Sequence, residues 1–285
     1  MIHYTGCPVC NSELIQEQLS VKDYTVSQKQ FSVWHCKACT VRFTQDVPAQ
    51  DAIGKYYASD NYISHTDTKK GLINSLYHLV RNVTLVSKRN LVKKYAGMSQ
   101  GAILDIGCGT GAFLNTMRKS SWKITGLEPD ETARARAATL YDIHPKPSTE
   151  LFNLSKRSFH AITLWHVLEH VHELHLYMNQ VADLLAPAGK LFIAVPNYTS
   201  ADAAVYKEYW AAYDVPRHLY HFSPQSMENL LAQHGLKLVS IKPMWFDSFY
   251  VSMLSEQYKN GKGNILKAVL NGFRSNIKAW GDTRK

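Results

Sequence analysis

The sequence predicts an α/β protein with a small cysteine-bearing module near its N-terminus. Residues 103–114, Ile-Leu-Asp-Ile-Gly-Cys-Gly-Thr-Gly-Ala-Phe-Leu, form an apolar strand pattern that enters a glycine-rich turn and leaves as an apolar helix. Strand and helix patterns then alternate along the chain, which is typical of an α/β fold. Two C-x-x-C pairs, at 7–10 and 36–39, precede this region.

The glycine turn indicates a ligand site. Gly107, Gly109 and Gly111 occupy alternate positions, so the backbone can adopt φ > 0 and approach a ligand closely, while the helix that follows offers its N-terminal amides to an anionic group. Asp105 precedes the turn and suits a cationic ligand. The spacing is G-x-G-x-G, which differs from the G-x-G-x-x-G of dinucleotide-binding proteins.

A second acid follows at the distance expected of a ribose ligand. Residues 123–128 form an apolar strand pattern that ends in Glu128, roughly 20 residues past the glycines, where a carboxylate can accept hydrogen bonds from ribose hydroxyls. Residues 159–165 and 190–196 add two further buried strands. We therefore expect Glu128 to bind a nucleoside ribose.

These four segments, in this order, resemble the class I S-adenosylmethionine-dependent methyltransferases, in particular the group that includes quinone-biosynthesis O-methyltransferases, over about residues 97–240. The resemblance implies a Rossmann-like fold with a doubly wound, mostly parallel, seven-stranded sheet. It implies that the amino-acid part of S-adenosylmethionine lies against Asp105 and the glycine turn, and that its ribose binds Glu128. The segment at the end of the strand over 159–165 would pass beside the bound cofactor. The implied cofactor-binding residues are Asp105, Gly107, Cys108, Gly109, Gly111, Glu128, Trp165 and His166. The adenine ligand stays unassigned.

The two cysteine pairs predict a metal centre. Cys7, Cys10, Cys36 and Cys39 have the spacing of two knuckles that converge on one tetrahedral ion, and four thiolates leave no open coordination position. We expect a structural zinc ribbon, with a rubredoxin-like iron site, redox dithiols or disulfides as the alternatives. The absence of a recognisable signal peptide favours zinc over disulfides and favours a cytoplasmic enzyme.

A competing metal motif occurs after strand four. His166, Glu169 and His170 match the H-x-x-E-H pattern of inverted zinc metallopeptidases, with both histidines expected on one face of a helix. No acidic third ligand stands out downstream, and the motif follows a strand in register with the methyltransferase segments. The peptidase interpretation is therefore disfavoured.

The methyl acceptor is expected to bind beyond the strand that ends near Val195, because ligands of open α/β sheets bind outside the carboxyl ends of the strands. The loop 197–223 contains His218 and His221, which we predict as candidate catalytic bases. Arg217 could bind an anionic substrate group and Asp214 could orient an imidazole. The alternative is a packed insertion whose histidines bond to the backbone.

The charge balance leaves several acceptors open. The chain carries a formal net charge of +9, which favours anionic partners without naming one. O-methylation of a small-molecule, saccharide or lipid-linked acceptor is the first hypothesis. A ribosomal-RNA base methyltransferase is the second, because a cysteine-knuckled N-terminus on such a core also resembles bacterial ribosomal-RNA guanine methyltransferases, and a non-catalytic cofactor-binding module is the third.

The domain organisation follows from these segments. We predict a zinc ribbon over 1–48, a linker and helical lid over 49–96, a methyltransferase core over 97–245 with the acceptor insertion 197–223, and a C-terminal helical extension over 246–285. The core should close with a strand over 236–245. No apolar run approaches the length of a membrane span. A C-terminal helix with interleaved basic residues could contact a membrane surface.

Overall fold

A computed structural model describes residues 1–57, 72–261 and 263–284, with the backbone alone over 72–79. Contacts divide these residues into two compact units. The described part of the first unit comprises 1–57, 169–172, and 195–284 without 262; the second comprises 72–168 and 173–194. The N-terminal cysteine module therefore shares a unit with the C-terminal third of the chain, while the domain boundaries predicted above stay a prediction.

The first unit is built on an antiparallel sheet. Its strands are β1 (Ile15–Lys22), β2 (Gln30–Cys36), β3 (Arg42–Thr44) and β8 (Tyr220–His221), in the order β1-β2-β3-β8. Aromatic side chains fill its core. Members of that cluster include Phe31, Tyr56, Tyr206, Trp210 and Tyr213. The short pairing of β3 with β8 joins the cysteine module to the loop 197–223.

The described residues of the first unit also form four α-helices: α5 (Ala201–Tyr206), α6 (Pro224–Gln233), α7 (Asp247–Asn260) and α8 (Ile265–Gly281). Ser223 and Pro224 set the start of α6. The Ser223 hydroxyl accepts the backbone N–H of Ser226 at 3.0 Å, and Pro224 occupies the first turn, where a missing N–H costs nothing. None of the described helices is both long and apolar enough to cross a membrane.

The second unit is an α/β layer structure. Its parallel strands are β4 (Ala102–Ile106), β5 (Lys123–Leu127), β6 (Phe159–Trp165) and β7 (Leu185–Ala194), in the order β5-β4-β6-β7. The helices are α1 (Leu72–Ala96), α2 (Ala112–Arg118), α3 (Glu131–Tyr141) and α4 (Leu174–Leu184). β4 and β6 are apolar along nearly their whole length because helices of this fold class cover both faces of a parallel sheet. The Rossmann-like arrangement of strands and helices is confirmed.

The strand count differs from the prediction. The parallel sheet has four strands among the described residues, not seven, and Lys146 pairs with Leu127 only as an isolated bridge. Residues 236–245, predicted as a closing strand, form neither a strand nor a helix. Val239 is 68% exposed, and Pro243 has no N–H to give to a sheet, so the alternating apolar pattern of this segment is not matched by burial. Alternation alone is a weak signal when no neighbouring strand is available for pairing.

Candidate active site and metal centre

The glycine turn lies between β4 and α2 and is held by the end of β5. Gly107, Gly109 and Gly111 have φ of 69°, 54° and 77°, in the left-handed region that favours glycine. The N–H groups of Gly107 and Cys108 both donate to the carbonyl oxygen of Leu127, at 2.7 and 3.0 Å. Two parallel strands therefore fix the position of the turn.

The space around the Cβ position differs among the three glycines. A Cβ at Gly107 would lie 2.5 Å from Cγ2 of Val167, so packing forbids a side chain there. A Cβ at Gly111 would lie 3.2 Å from the Cβ of Ala137. A Cβ at Gly109 would meet nothing within 4 Å among the described atoms. Gly109 therefore faces open space, where a ligand can approach the backbone.

Glu128 is buried and bridges the turn to the next helix. Its Oε2 accepts the N–H of Gly109 at 2.8 Å, and its Oε1 accepts the N–H of Asp130 at 2.9 Å. Asp130 is itself the N-cap of α3. Each carboxylate oxygen has a second lone pair, so Glu128 can still accept a hydrogen bond from a ribose hydroxyl.

Asp105 is buried at the end of β4. The hydroxyl of Thr163 donates to its Oδ1 at 2.6 Å. The pKa of Asp105 is raised to about 7, chiefly by burial and to a smaller extent by the charge of Glu128, while the hydrogen bond from Thr163 and the positive charge of Lys88 oppose the rise. A buried carboxyl that ionises near neutral pH suits a cationic ligand, whose charge would stabilise the ionised form.

Trp165 and His166 follow β6. The ring of Trp165 packs edge-on against Phe113 with centroids 5.6 Å apart, and the Lys88 ammonium lies 4.4 Å from its indole. The indole N–H has no hydrogen-bond partner among the described residues. His166 has φ of 58°, and its N–H donates to Ala194. The indole N–H of Trp165, the carboxyl groups of Asp105 and Glu128 and the open backbone at Gly109 together fit a cationic nucleoside such as S-adenosylmethionine.

The cysteine knuckles have matching backbone geometry. In the first, the N–H of Asn11 donates to the carbonyl of Cys7 at 2.8 Å; in the second, the N–H of Thr40 donates to the carbonyl of Cys36 at 2.9 Å. Asn11 and Thr40 both have positive φ, 58° and 64°. Each C-x-x-C segment therefore closes the same turn and presents its two thiols on one side.

The four thiols fit one tetrahedral ion. All four Sγ atoms lie within 4.8 Å of one another, with 3.5 Å between Cys7 and Cys39 and 3.6 Å between Cys10 and Cys36. These separations are near the edge of a ZnS₄ tetrahedron with Zn–S bonds of about 2.3 Å, and far longer than a disulfide bond of about 2.05 Å. A hydrogen bond from Cys39 lowers the pKa of Cys7 to about 5, which favours a thiolate. The cluster is compatible with a structural zinc ion.

His218 and His221 lie in the first unit, where both are buried, but their ring nitrogens make different hydrogen bonds. Nδ1 of His218 donates to the carbonyl of Ala212 at 2.9 Å, which leaves the Nε2 lone pair 3.9 Å from Oδ2 of Asp214. The hydroxyl of Thr44 donates to the carbonyl of His218 at 2.7 Å, so its oxygen accepts from Nε2 of His221 at 3.1 Å. Burial lowers the pKa of His221 well below its usual value, with smaller contributions from His218 and Arg42. Only His218 keeps Nε2 as an acceptor.

The H-x-x-E-H residues are not on one helix face. His166 sits in a left-handed turn, whereas Glu169 and His170 belong to a short 3₁₀ turn. Glu169 and His170 instead have ligand atoms within 4.8 Å of those of His218, a group that could hold a cation. Burial, followed by the charge of His218, lowers the pKa of His170 to about 4. The metallopeptidase pattern is therefore not reproduced.

Arg217 is fully committed within the first unit. Its guanidinium is buried and donates to Oδ1 of Asp214 at 2.6 Å, to Oδ1 of Asp23 at 3.1 Å and to the carbonyl of Tyr56 at 2.9 Å. The carboxylates raise the pKa of Arg217 against the opposing effect of burial. This network ties the β1–β2 turn to the loop 197–223. It does not favour the predicted role of Arg217 in binding a substrate anion.

The fold and the glycine turn define an α/β protein with a candidate site for a nucleoside cofactor. The methyltransferase-domain family matches residues 79–241, more than half of the 285 residues. The chain therefore belongs to this family, which confirms the resemblance to the class I S-adenosylmethionine-dependent methyltransferases. S-adenosylmethionine is the cofactor that this membership implies.

Individual relatives are more distant. The chain is 26% identical to a ubiquinone biosynthesis O-methyltransferase of Rhizobium etli over 55% of its length, and 29% identical to one of Xanthomonas axonopodis over 51%. It spans 66% of each relative, just under two thirds. A magnesium protoporphyrin IX methyltransferase of Synechocystis aligns with a TM-score of 0.49 and 14% identity, over 66% of this chain and 89% of that one.

Three residues that contact the candidate cofactor site could not be identified from sequence patterns. Lys88 is one of several basic residues on α1, and nothing in its spacing distinguishes it from a solvated position. Thr163 lies inside an apolar strand, and Val167 is one apolar residue among many. Thr163 gives the one sequence signal among the three, because it is a polar residue at the centre of β6 and lies directly opposite Asp105 in the parallel register.

We expect the affinity for S-adenosylmethionine to rise between pH 5.5 and pH 7.5. The raised pKa of Asp105, about 7, means that the carboxyl is largely protonated below this pH and ionises as pH increases. Affinity should therefore increase by up to about tenfold per pH unit below pH 7 and then level off. Calorimetry at several pH values measures this. In Asp105→Asn the dependence should disappear; an unchanged profile in that variant would contradict the assignment.

We also expect one zinc ion per chain after purification without chelators. Cys39→Ser should lose the metal and lower the unfolding midpoint, because zinc binding contributes folding free energy. Cys108→Ser is the matched control, since Cys108 lies outside the thiol cluster. Elemental analysis with thiol titration gives the readout. Metal-free protein with four titratable thiols in the knuckles would reject the zinc centre.

Proposed function

We propose that this protein transfers a methyl group from S-adenosylmethionine to a hydroxyl oxygen of a small-molecule, saccharide or lipid-linked acceptor. The observation that carries the proposal is the left-handed glycine turn, with Gly109 facing open space and Glu128 bonded to its N–H. Family membership supports methyl transfer. The relatives named as ubiquinone biosynthesis O-methyltransferases support oxygen as the acceptor atom.

The cofactor residues are proposed as a set. Asp105 would balance the cofactor's positive charge, Glu128 would bind its ribose, and the open backbone at Gly109 would admit it. Bound S-adenosylmethionine supplies a methyl carbon made electrophilic by the adjacent sulfonium. The full proposed set is Asp105, Gly107, Cys108, Gly109, Gly111, Glu128, Trp165 and His166.

His218 is the better of the two candidate bases. During methyl transfer, Nε2 of His218, which has the available lone pair, would accept the proton of the acceptor hydroxyl. The carboxylate of Asp214 would stabilise the resulting imidazolium. His221 has its Nε2 engaged by Thr44, which favours a structural role.

The zinc ribbon is proposed as structural. Four thiolates close the coordination shell, so no position is left for water or substrate. The Thr40 hydroxyl lies 2.8 Å from that of Ser223, and the hydroxyl of Tyr198 donates to the Thr40 carbonyl at 2.5 Å. The second knuckle therefore holds both ends of the loop 197–223.

Side-chain volume at Gly109 should decide cofactor affinity. Gly109→Ala and Gly109→Leu carry the same left-handed backbone, costing about 1 kcal/mol in each. They differ only in the bulk placed in the open space. We expect Gly109→Leu to bind S-adenosylmethionine at least about tenfold more weakly than Gly109→Ala, a difference of roughly 1.4 kcal/mol, measured by calorimetry.

Gly97→Leu provides the matched control for backbone strain. Gly97 also has positive φ, 68°, with open space around its Cβ position, and it follows α1. This variant should retain the wild-type affinity for S-adenosylmethionine. Equal affinity in Gly109→Leu and Gly109→Ala would refute the cofactor site.

Tritiated methyl groups from S-adenosylmethionine should enter a non-RNA fraction of cell extract. In that fraction His218→Gln should lower the rate by about 100-fold or more, because the base is lost, while cofactor affinity is retained. His221→Gln is the comparison variant. Scintillation counting of RNA, lipid, saccharide and small-molecule fractions gives the readout.

The outcomes separate the hypotheses. Label in RNA would favour the ribosomal-RNA alternative over O-methylation. Cofactor binding without label in any fraction would favour a non-catalytic binding module. A His218→Gln rate equal to wild type would remove His218 as the base without affecting the cofactor assignment.

A further inference from the structure

The C-terminal helix α8 faces its own unit with its smallest residues. Ala268, Gly272 and Ser275 are buried. A Cβ at Gly272 would lie 2.7 Å from Cδ1 of Phe249, so α8 and α7 meet at backbone contact. The hydroxyl of Ser275 donates to Oδ1 of buried Asp202 at 2.9 Å. These contacts fix the rotation of α8 about its axis.

The opposite side of α8 carries large apolar side chains in solvent. Leu266 is 78% exposed, Leu270 is 67% exposed and Trp280 is 80% exposed. Spacings of three and four residues place the exposed apolar residues on one side of the helix. This surface, the outer face of α8, consists of Ile265, Leu266, Val269, Leu270, Phe273, Ile277 and Trp280. An ordinary surface helix has the reverse arrangement, with its large apolar residues towards the core.

One edge of the outer face is basic. Lys267, Arg274 and Lys278 are exposed and lie seven and four residues apart, so they form one row along the helix. At about 100° per residue, this row runs beside Leu270 and Ile277. The helix sequence contains no Asp or Glu. Every formal charge on α8 is therefore positive.

We propose that the outer face of α8 docks on the surface of an anionic lipid bilayer. An amphipathic helix with large apolar residues on one face and Lys or Arg along its edge lies in the interface plane, where the apolar side chains enter the acyl boundary and the cations meet headgroup phosphates. The described helices include no membrane span, so the contact is peripheral. It does not depend on which acceptor is methylated.

Charge complementarity selects the bilayer over a second copy of the chain. Two copies joined through this face would bring two rows of three cations towards one poorly hydrated interface without an acidic partner on α8. An anionic bilayer supplies the opposite charge along the whole row. Self-association is therefore an outcome for the experiment to test.

The full-length protein should co-sediment with vesicles that contain 30% phosphatidylglycerol in phosphatidylcholine, and much less with phosphatidylcholine alone. The triple variant Leu266→Ser, Leu270→Ser, Phe273→Ser should lower the partition coefficient by about tenfold or more, because it removes three inserting side chains. The triple variant Lys267→Gln, Arg274→Gln, Lys278→Gln should lower it similarly and abolish its dependence on salt.

Matched control variants distinguish binding through the outer face of α8 from nonspecific effects of exposed apolar area and net charge. Leu140→Ser, Phe152→Ser, Leu176→Ser removes three exposed apolar residues elsewhere, and Lys119→Gln, Lys123→Gln, Lys237→Gln removes three exposed cations. Both should bind vesicles like wild type. Because all substituted residues are exposed, thermal unfolding should be unchanged in every variant.

Three results would overturn the proposal. The first is wild-type protein that stays in the supernatant with anionic vesicles. The second is equal loss of binding in an α8 variant and its control. The third is a wild-type dimer in solution that the apolar α8 variant converts to monomer without vesicle binding in either, which would assign the face to self-association. None of these results bears on S-adenosylmethionine affinity, which tests the methyltransferase assignment separately.

Discussion

The left-handed backbone of residues 107–111 needs anchors, and a buried carboxylate provides one of them beside the carbonyl of Leu127. Glu128 accepts one N–H from Gly109 and another from Asp130, so the turn after β4 and the start of α3 are held by the same side chain. Such bonds are strong in a poorly hydrated setting because few waters compete for the carboxylate. Gly107 meets the packing demand against Val167, which leaves the backbone at Gly109 free for a ligand. The packing role of Gly107 and the proposed binding role of Gly109 are thus separated by only one residue.

Features encoded within a few consecutive residues could be predicted from the sequence. The turn after β4, the two C-x-x-C knuckles and the Ser223 cap of α6 each depend on local backbone geometry, and the structure contains all three. The seven-stranded sheet could not be predicted with the same security, because a strand exists only when another edge is there to pair with it. Residues 236–244 have the alternating pattern without that pairing.

Side-chain roles that depend on distant partners were the least predictable. The charge and position of Arg217 suggested a substrate contact, but Asp23, almost 200 residues away in the sequence, supplies a second carboxylate for its guanidinium. A buried cation must be neutralised by acceptors from somewhere in the fold, and no local pattern reveals which ones. The same applies to His221, whose tautomer depends on Thr44. His218 differs because its only committed nitrogen, Nδ1, bonds to a nearby carbonyl, at Ala212.

The spacing of apolar residues along α8 likewise does not predict which face of the helix packs against the rest of its unit. Leu270 and Phe273 would ordinarily be assigned to the core, and Ala268, Gly272 and Ser275 to solvent. The structure has the opposite arrangement because Gly272 allows backbone contact with Phe249, and because Ser275 completes the hydrogen bonds of buried Asp202. Asp202 also accepts the indole N–H of Trp210 at 2.8 Å, so rotating the helix would leave one oxygen of a buried carboxylate without its donor. A polar requirement inside the unit therefore directs the large apolar side chains outward.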